Sequence, residues 1–221
     1  MKKFLFIALL VVVIDQVSKF YIKTNFHIGE SLMVFDDWFY LVFVENPGMA
    51  YGMQWGGLAG KIGLAIFRWI LIVGIIYYVV TNTRAQKSNS WFILPMSLIL
   101  AGAIGNVIDS TFYGLIFDTG TTWNEFTQDW NRYYPGISQA DFTGYAPIFQ
   151  GCVVDMLHFP LFDYNIPQSV PVIGGYSGTF FSPVFNIADS AISIGGAIIL
   201  LFREKAFPST PEEPKTTSQL G

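Results

Sequence analysis

Four stretches of this chain are apolar for long enough to cross a bilayer, which takes roughly 20 mainly apolar residues in a helix. They run over about 4–21, 60–80, 91–112 and 184–202 of the 221 residues. Only 13% of the residues are charged, about half the share in an ordinary soluble domain. In lipid every backbone N–H and C=O must be satisfied within its own segment, so such runs fold as helices. The expected fold class is membrane α-helical: four transmembrane helices in one domain over 1–206, with a tail over 207–221. That tail is rich in Pro, Ser, Thr and Glu and reads as disordered and cytoplasmic.

Met1-Lys2-Lys3 and the apolar run behind it imitate a secretory signal peptide. No small-residue cleavage site follows, and the run continues through Asp15-Gln16-Val17-Ser18-Lys19, so it reads as a retained helix. Lys and Arg accumulate at cytoplasmic helix ends. Lys2 and Lys3, Arg84 and Lys87, and Arg203, Lys205 and Lys215 all fall on one side of a four-span path. Both termini are therefore expected in the cytoplasm, with Lys23 and Lys61 as exceptions at the outer face. Arg68, one or two turns into the second helix, is expected to snorkel outward or pair with a carboxylate.

Two long connections then lie outside. In the first, 31–34 and 38–44 are aromatic and β-branched and flank the turn-like Asp36-Asp37, which predicts a small sheet on the membrane surface. Asn46-Pro47-Gly48 turns the chain after it. The second carries a segment at about 111–151 with Trp123, Trp130, Tyr133, Tyr134, Phe142 and Tyr145. It is too aromatic for a linker and is expected to pack as a cap or lie on lipid headgroups.

Asp15, Asp109, Asp155 and Asp189 lie in or beside apolar runs. Ionised carboxylates are costly there and usually face a wet interior. Asn106 and Asp109 share a helix face, as do Asn186 and Asp189, since residues three apart point together. If the stretch Val153-Val154-Asp155 folds back over the fourth helix, two carboxylates meet at the outer membrane boundary. Such a pair shares one proton. One member then acts as a base toward water and the other protonates a carbonyl oxygen, which suits peptide hydrolysis without a metal. The competing reading is a helix–helix hydrogen-bond clasp or an N-cap, and chemistry alone does not choose which two aspartates react. Asp15 and Lys19, spaced i,i+4, read as a structural ion pair.

Other chemistry is poorly supported. His27 and His158 are the only histidines, and no metal-ligand or phosphate-loop spacing occurs, so no metal and no cofactor is expected. A net charge of −4 argues against nucleic acid. Cys152 is the only cysteine and has no persuasive partner. Gly175-Tyr176-Ser177-Gly178 matches a G-x-S-G pattern but sits in a Gly-rich loop and reads as a turn.

Five motifs come in a fixed order: Asp15-Gln16-x-x-Lys19, Asn46-x-Gly48-x-Ala50-Tyr51-Gly52, Gly102-Ala103-Ile104-Gly105-Asn106-x-x-Asp109, Val153-Val154-Asp155 and Phe185-Asn186-x-Ala188-Asp189-Ser190. In this the chain resembles bacterial lipoprotein signal peptidase, or signal peptidase II, over about 10–200. The resemblance implies an inner-membrane aspartic endopeptidase that cleaves diacylglyceryl prolipoproteins just before the lipobox cysteine and is inhibited by globomycin. It implies Asp155 and Asp189 as the catalytic dyad, and Asn46, Asn106 and Asn186 as residues holding the site and substrate. Asp15 and Asp109 come in supporting polar contacts, Lys19 and Gly48 belong to the matching motifs, and a periplasmic β-cradle is expected.

Three departures stand out. Ser110 occupies the place where the family carries Arg, and Arg68 and Arg132 are the candidate replacements. Tyr51 replaces a Phe. Asp109 and Asp155 are 46 positions apart (155 − 109), a much longer gap than the family's. Two other functions compete: a proton-coupled transporter, for which buried carboxylates also serve, and a structural assembly protein docking through the aromatic segment. Flux through liposomes would mark the first, and retention of function by dyad variants the second.

Overall fold

The computed structural model describes residues 2–36, 38–48, 56–86, 89–172 and 174–208, with the side chains of 82–86 left aside. Asp37, the Ala50-Tyr51-Gly52 part of one motif, Lys87 and the tail beyond 208 fall outside the described residues, as does the side chain of Arg84.

Three helices are long and apolar enough to cross a membrane. Helix α1 spans Lys2–Asn25, α2 spans Gly57–Gln86 and α3 spans Ser90–Ile108. The third continues through a π-helical turn, Asp109–Tyr113, into the single turn α4, Gly114–Ile116. Outward faces stay apolar and exposed, as at Leu9, Val13, Val17, Phe67, Ile70 and Val73. An apolar face with no protein against it is what lipid covers.

The fourth apolar run is shorter than the sequence suggests. Val184–Phe185 is a strand, and the helix, α5, begins at Ile187 and ends at Leu201. At 1.5 Å per residue it is about 22 Å long, short of the roughly 30 Å hydrocarbon core. Asn186 makes the break: its backbone is extended (φ −126°, ψ 180°), and its side chain caps the helix by accepting from the Asp189 N–H. A last turn, α6 at Arg203–Ala206, follows.

Strands β1 (Ser31–Phe35) and β2 (Phe39–Asn46) pair antiparallel, close to the sequence expectation. The sheet extends to β5 (Val153–His158) and β8 (Val184–Phe185), in the order β1-β2-β5-β8. The apolar run of β5 is buried from Val153 to Met156, as a strand covered on both faces should be. Two separate hairpins complete the fold, β3 (Thr122–Asn124) with β4 (Asp129–Asn131), and β6 (Phe162–Asn165) with β7 (Ser177–Phe180).

The long segment after α4 is tied back to the end of the third helix. The N–H groups of Phe149, Ala146 and Phe142 donate to the carbonyls of Thr111, Gly114 and Ile116 at 3.2, 3.0 and 2.9 Å. These are the carbonyls a helix end leaves without partners, so the insert terminates the helix by satisfying it. A buried cation reinforces the join. Lys23 pairs with Glu45, donates to the Thr119 carbonyl at 2.9 Å, and sits 5.0–5.8 Å from the rings of Phe117, Tyr145, Tyr134 and Phe43. Glu45 also accepts from the Thr121 N–H.

Lys23 and Lys61, the two exceptions in the count of basic residues, are both buried. Lys23 is fully buried in this ion pair. Lys61 is buried too, donating to the Pro47 carbonyl at 3.2 Å and lying 3.6 Å from Cys152 Sγ. Neither contributes a surface charge to the orientation signal.

Two apolar clusters make the core. One gathers Phe4, Ala8, Ile72, Val79, Phe92, Met96 and Leu100. The other gathers Ile22, Phe26, Phe43, Tyr113, Phe117, Val154 and Met156. On α1 the inward stripe runs Phe4, Ala8, Asp15, Lys19, Ile22. The polar pair therefore occupies the helical face that would otherwise carry core residues between the clusters.

Candidate active site

Between the two clusters, side chains from α1, α3, β2, β5 and α5 form one hydrogen-bonded network. Its cation is Lys19, whose Nζ lies 2.9 Å from Asp15, 2.8 Å from Asp109 and 2.9 Å from Asn106 Oδ1. All three charged side chains are completely buried. Burying ions is costly unless each is paired and its remaining lone pairs are used. Here they are used. Asp15 also accepts from the Ala188 N–H at 2.9 Å, and Asp109 from the Val154 N–H at 3.3 Å. The ion cluster thus ties α1 to the first turn of α5 and α3 to β5.

Close helix approach makes this possible. A Cβ on Gly102 would meet the Ala188 carbonyl oxygen at 2.2 Å, and one on Gly105 would meet Asp15 Oδ2 at 2.4 Å. These glycines let α5 and the Asp15 carboxylate lie against the α3 backbone.

Asn106 and Asn186 carry the network onward. Asn106 Nδ2 donates to Asp189 Oδ1 at 2.8 Å. Asn186 Nδ2 donates to Asn106 Oδ1 at 3.1 Å and to Asp155 Oδ1 at 2.7 Å. The Asp189 N–H donates to Asn186 Oδ1 at 2.9 Å, and Asp189 Oδ2 accepts from the Asn186 N–H at 3.3 Å. From the sheet side, Asn46 Nδ2 donates to Asp155 Oδ2 at 3.2 Å, and the Gly48 N–H donates to Asn46 Oδ1 at 2.9 Å. Asn46 pairs in register with Val153, two residues from Asp155 on the same face of β5.

Asp155 and Asp189 thus both bond to Asn186, Asp155 through its side-chain Nδ2 and the Asp189 carboxylate through its backbone N–H, while differing in surroundings. Asp155 is buried and Asp189 half-buried. Burial, with the Asp189 charge beside it, pushes the Asp155 carboxyl up to about 7. Donors from Asn106 and Asn186 meet the Asp189 carboxylate. A buried carboxyl that holds its proton to higher pH, beside a second, half-buried carboxyl, is an acid–base pair in form. Asp189 is also the third residue of a capping box on α5, so the cap and the paired carboxylate are one side chain.

The remaining sequence candidates separate clearly. Arg68 Nη1 donates to Ser110 Oγ at 3.4 Å, whereas Arg132 lies exposed at the edge of the insert. Arg68 is half-buried and turned to the π-helical turn. Ser177 is exposed on the β7 hairpin. Cys152 is fully buried, and burial pushes its thiol up to about 12, which leaves no thiolate for nucleophilic attack. His158 packs beside Tyr40 on the sheet. Among the described residues no cluster of His, Cys, Asp or Glu has metal-binding form.

Gln16 lies outside the site residues expected from the sequence, yet its Nε2 bridges Asp15 Oδ2 (3.1 Å) and Asp109 Oδ1 (2.9 Å). Adjacent helical residues point about 100° apart, so nothing in the spacing marks it as Asp15's companion. The adjacent Asp-Gln in the motif was the one available signal.

The fold defines a helical membrane protein with a carboxylate-rich site where its helices meet a small sheet. The model of a peptidase family, described as Signal peptidase (SPase) II, matches residues 7–203. The lipoprotein signal peptidase of Porphyromonas gingivalis (strain ATCC 33277) is 40% identical over 195 residues, 88% of this chain and 80% of its own. That of Amoebophilus asiaticus (strain 5a2) is 36% identical over 217 residues, covering 97% and 83%. A solved structure described as "Bacterial membrane enzyme structure by the in meso method at 2.3 A resolution" superposes with TM-score 0.59 at 23% identity, over 97% of this chain and 96% of that one. The chain belongs to the signal peptidase II family, and it is a membrane-embedded peptidase.

Proposed function

We propose that this protein removes the signal peptide from diacylglyceryl-modified prolipoproteins just before the lipobox cysteine, as an aspartic endopeptidase of the bacterial inner membrane. The observation that carries this reading is that Asp155 and Asp189 meet at one residue, Asn186, whose side-chain Nδ2 donates to Asp155 and whose backbone N–H donates to the Asp189 carboxylate, in a chain whose relatives are lipoprotein signal peptidases.

In the proposed step Asp189 takes a proton from water as the water oxygen bonds to the scissile carbonyl carbon. Asp155 gives its proton to the carbonyl oxygen. The gem-diol collapses with cleavage of the C–N bond, the leaving amine taking up the proton held on Asp189, and Asp155 is reprotonated from the gem-diol. Asn46, Asn106 and Asn186 orient the carboxylates, while Lys19 with Asp15 and Asp109 fixes Asn106 and the helix starts. The Asn46–Gly48 turn fixes Asn46 in turn.

The membrane arrangement follows the same reading. Four spans place both termini in the cytoplasm and the dyad at the periplasmic rim, with α5 and α6 together serving as the fourth span. The β1-β2-β5-β8 sheet is the periplasmic cradle, and the insert walls the site. The substrate's lipid stays among acyl chains, and a globomycin-type inhibitor competes at the dyad.

The test is gel-shift cleavage of a lipid-modified prolipoprotein. Asp155→Asn and Asp189→Asn are each expected to abolish cleavage while the protein still inserts and unfolds cooperatively in detergent. Full turnover by either folded variant rejects the dyad.

A further inference from the structure

Lys61 is buried near the start of α2, and among the described residues no carboxylate forms an ion pair with it. Such a placement is costly and calls for an account. Its Nζ donates to the Pro47 carbonyl at 3.2 Å, lies 3.6 Å from Cys152 Sγ and stands 5.2 Å from the centre of the Trp130 ring in the insert. A thiol is a weak acceptor and the ring is a cover, so the carbonyl is the strong partner of the three.

That carbonyl belongs to a particular peptide unit. A peptide is planar and stiff, so its C=O and N–H turn together. The unit joining Pro47 to Gly48 accepts from Lys61 through its C=O, and its N–H donates to Asn46 Oδ1 at 2.9 Å. With Oδ1 held there, the other end of the Asn46 amide is aimed: Nδ2 donates to Asp155 Oδ2 at 3.2 Å. Three hydrogen bonds and one side-chain amide therefore lead from α2 to the dyad. Leu64, one turn after Lys61 on the same helix face, closes on the far residue of the unit. A Cβ on Gly48 would meet Leu64 Cδ2 at 3.1 Å, and the Gly48 φ of +101° suits glycine. Two side chains of α2 thus hold this one peptide.

Asp155 has other neighbours, each from another quarter. Asp189 and Asn186 face it from the start of α5. Asp109, at the end of α3, accepts from the adjoining Val154 N–H. Lys19 of α1 lies behind Asn106 and Asn186, and Arg68 of α2 is turned to Ser110. Lys61 reaches none of them by a hydrogen bond; its route to Asp155 is the peptide and Asn46.

We propose that Lys61 is a positioning residue of the dyad: by holding the peptide between Pro47 and Gly48 it aims the Asn46 amide at the Asp155 carboxyl. This rests on the aspartic-peptidase reading, and the experiment separates the two. The alternative role is purely mechanical, a pin between α2 and the insert.

The measurement is the basic limb of the kcat/KM profile against pH, on a diacylated prolipoprotein. Lys61→Met keeps the apolar stem and loses the donor. The Asn46 donor favours ionised Asp155, so loosening it lets Asp155 keep its proton to higher pH. The limb is expected to move up by about half a pH unit, a roughly threefold relative gain at the alkaline end. In an Asn46→Ala background the same change is expected to move the limb no further. Lys61→Gln, whose side chain is one bond shorter, falls short of the carbonyl; it moves the limb the same way and serves if Lys61→Met does not fold. A limb that stays or moves down in either folded variant overturns the proposal, whether or not the rate falls. So does an equal move with and without the Asn46 side chain, the mark of a direct field from the amine or of general loosening. Asp155→Asn run alongside isolates the broader reading. Its full turnover rejects the dyad, whereas its inactivity beside an unmoved Lys61→Met limb rejects only the role of Lys61.

Discussion

On the proposed reading, a single carboxyl, Asp155, is expected to set the pH behaviour of the site. Burial is the main reason it is pushed up to about 7, and the Asp189 charge adds to it, against amide donors from Asn46 and Asn186 that favour the ionised form. The protonated form is the one that can donate to a carbonyl oxygen, so cleavage should fall as pH rises through about 7. Asn46→Ala removes a donor that favours the anion, so its basic limb should move to higher pH; a kcat/KM profile shows the shift, and a downward move contradicts the assignment. The same ionisation couples to folding. The unfolded carboxyl titrates near 4. The stabilisation from protonated Asp155 is therefore fully present below that value and is lost as pH rises through about 7. Individual residues differed in how far spacing betrayed them. Asp15 with Lys19 was readable from i,i+4, and the Asn–Asp pairs from i,i+3. Gln16 and the Lys23–Glu45 pair were not, because one is out of phase and the other joins α1 to β2 across 22 positions.

Helices announced themselves through apolar length, and β1 and β2 through alternation around a turn. Element ends were harder. Val184 and Phe185 are as apolar as the helix they precede, so only Asn186 signals that a strand stops and a helix starts. The π-helical turn has no composition of its own; it exists because α3 must present Asp109 and Ser110 inward while the insert takes over its last carbonyls. Gly102 and Gly105 looked like ordinary motif glycines, and their purpose became visible only with α5 in place. Gly102→Ala would force α3 and α5 apart, because the clash is with backbone that cannot rotate away. A loss of about 1–3 kcal/mol is expected, seen as a lower denaturation midpoint in detergent. Gly196→Ala, where a Cβ meets open space, should leave the midpoint nearly unchanged.

At the scale of the whole molecule, the aromatic insert packs against the core through Tyr134 and Tyr145, while Phe126, Tyr133 and Phe142 stay exposed. Its aromatic content foretold packing; its partners were unreadable because they come from α1 and β2, far away in sequence. Lys23 lies in a cage made jointly by α1, β2 and the insert, with Glu45 as its counter-ion. Glu45→Gln would leave a buried ammonium without a carboxylate, at a cost of about 3–5 kcal/mol. Hydrogen exchange should then quicken across 117–152 before it quickens in α1 or α3. Exchange rising evenly over the whole chain would instead mean that the insert and the helices unfold as one unit.

The two asparagines at the centre have a consequence for how such a site can change over generations. Each amide is occupied at both ends: Asn106 by Lys19, Asn186 and Asp189, Asn186 by Asn106, Asp155 and the α5 backbone. No substitution at either position can keep every partner, since no other side chain of that length offers a donor and an acceptor side by side. Drift through the pair is therefore expected to be concerted, with a second change arriving alongside the first to restore the partners that one substitution leaves unmet.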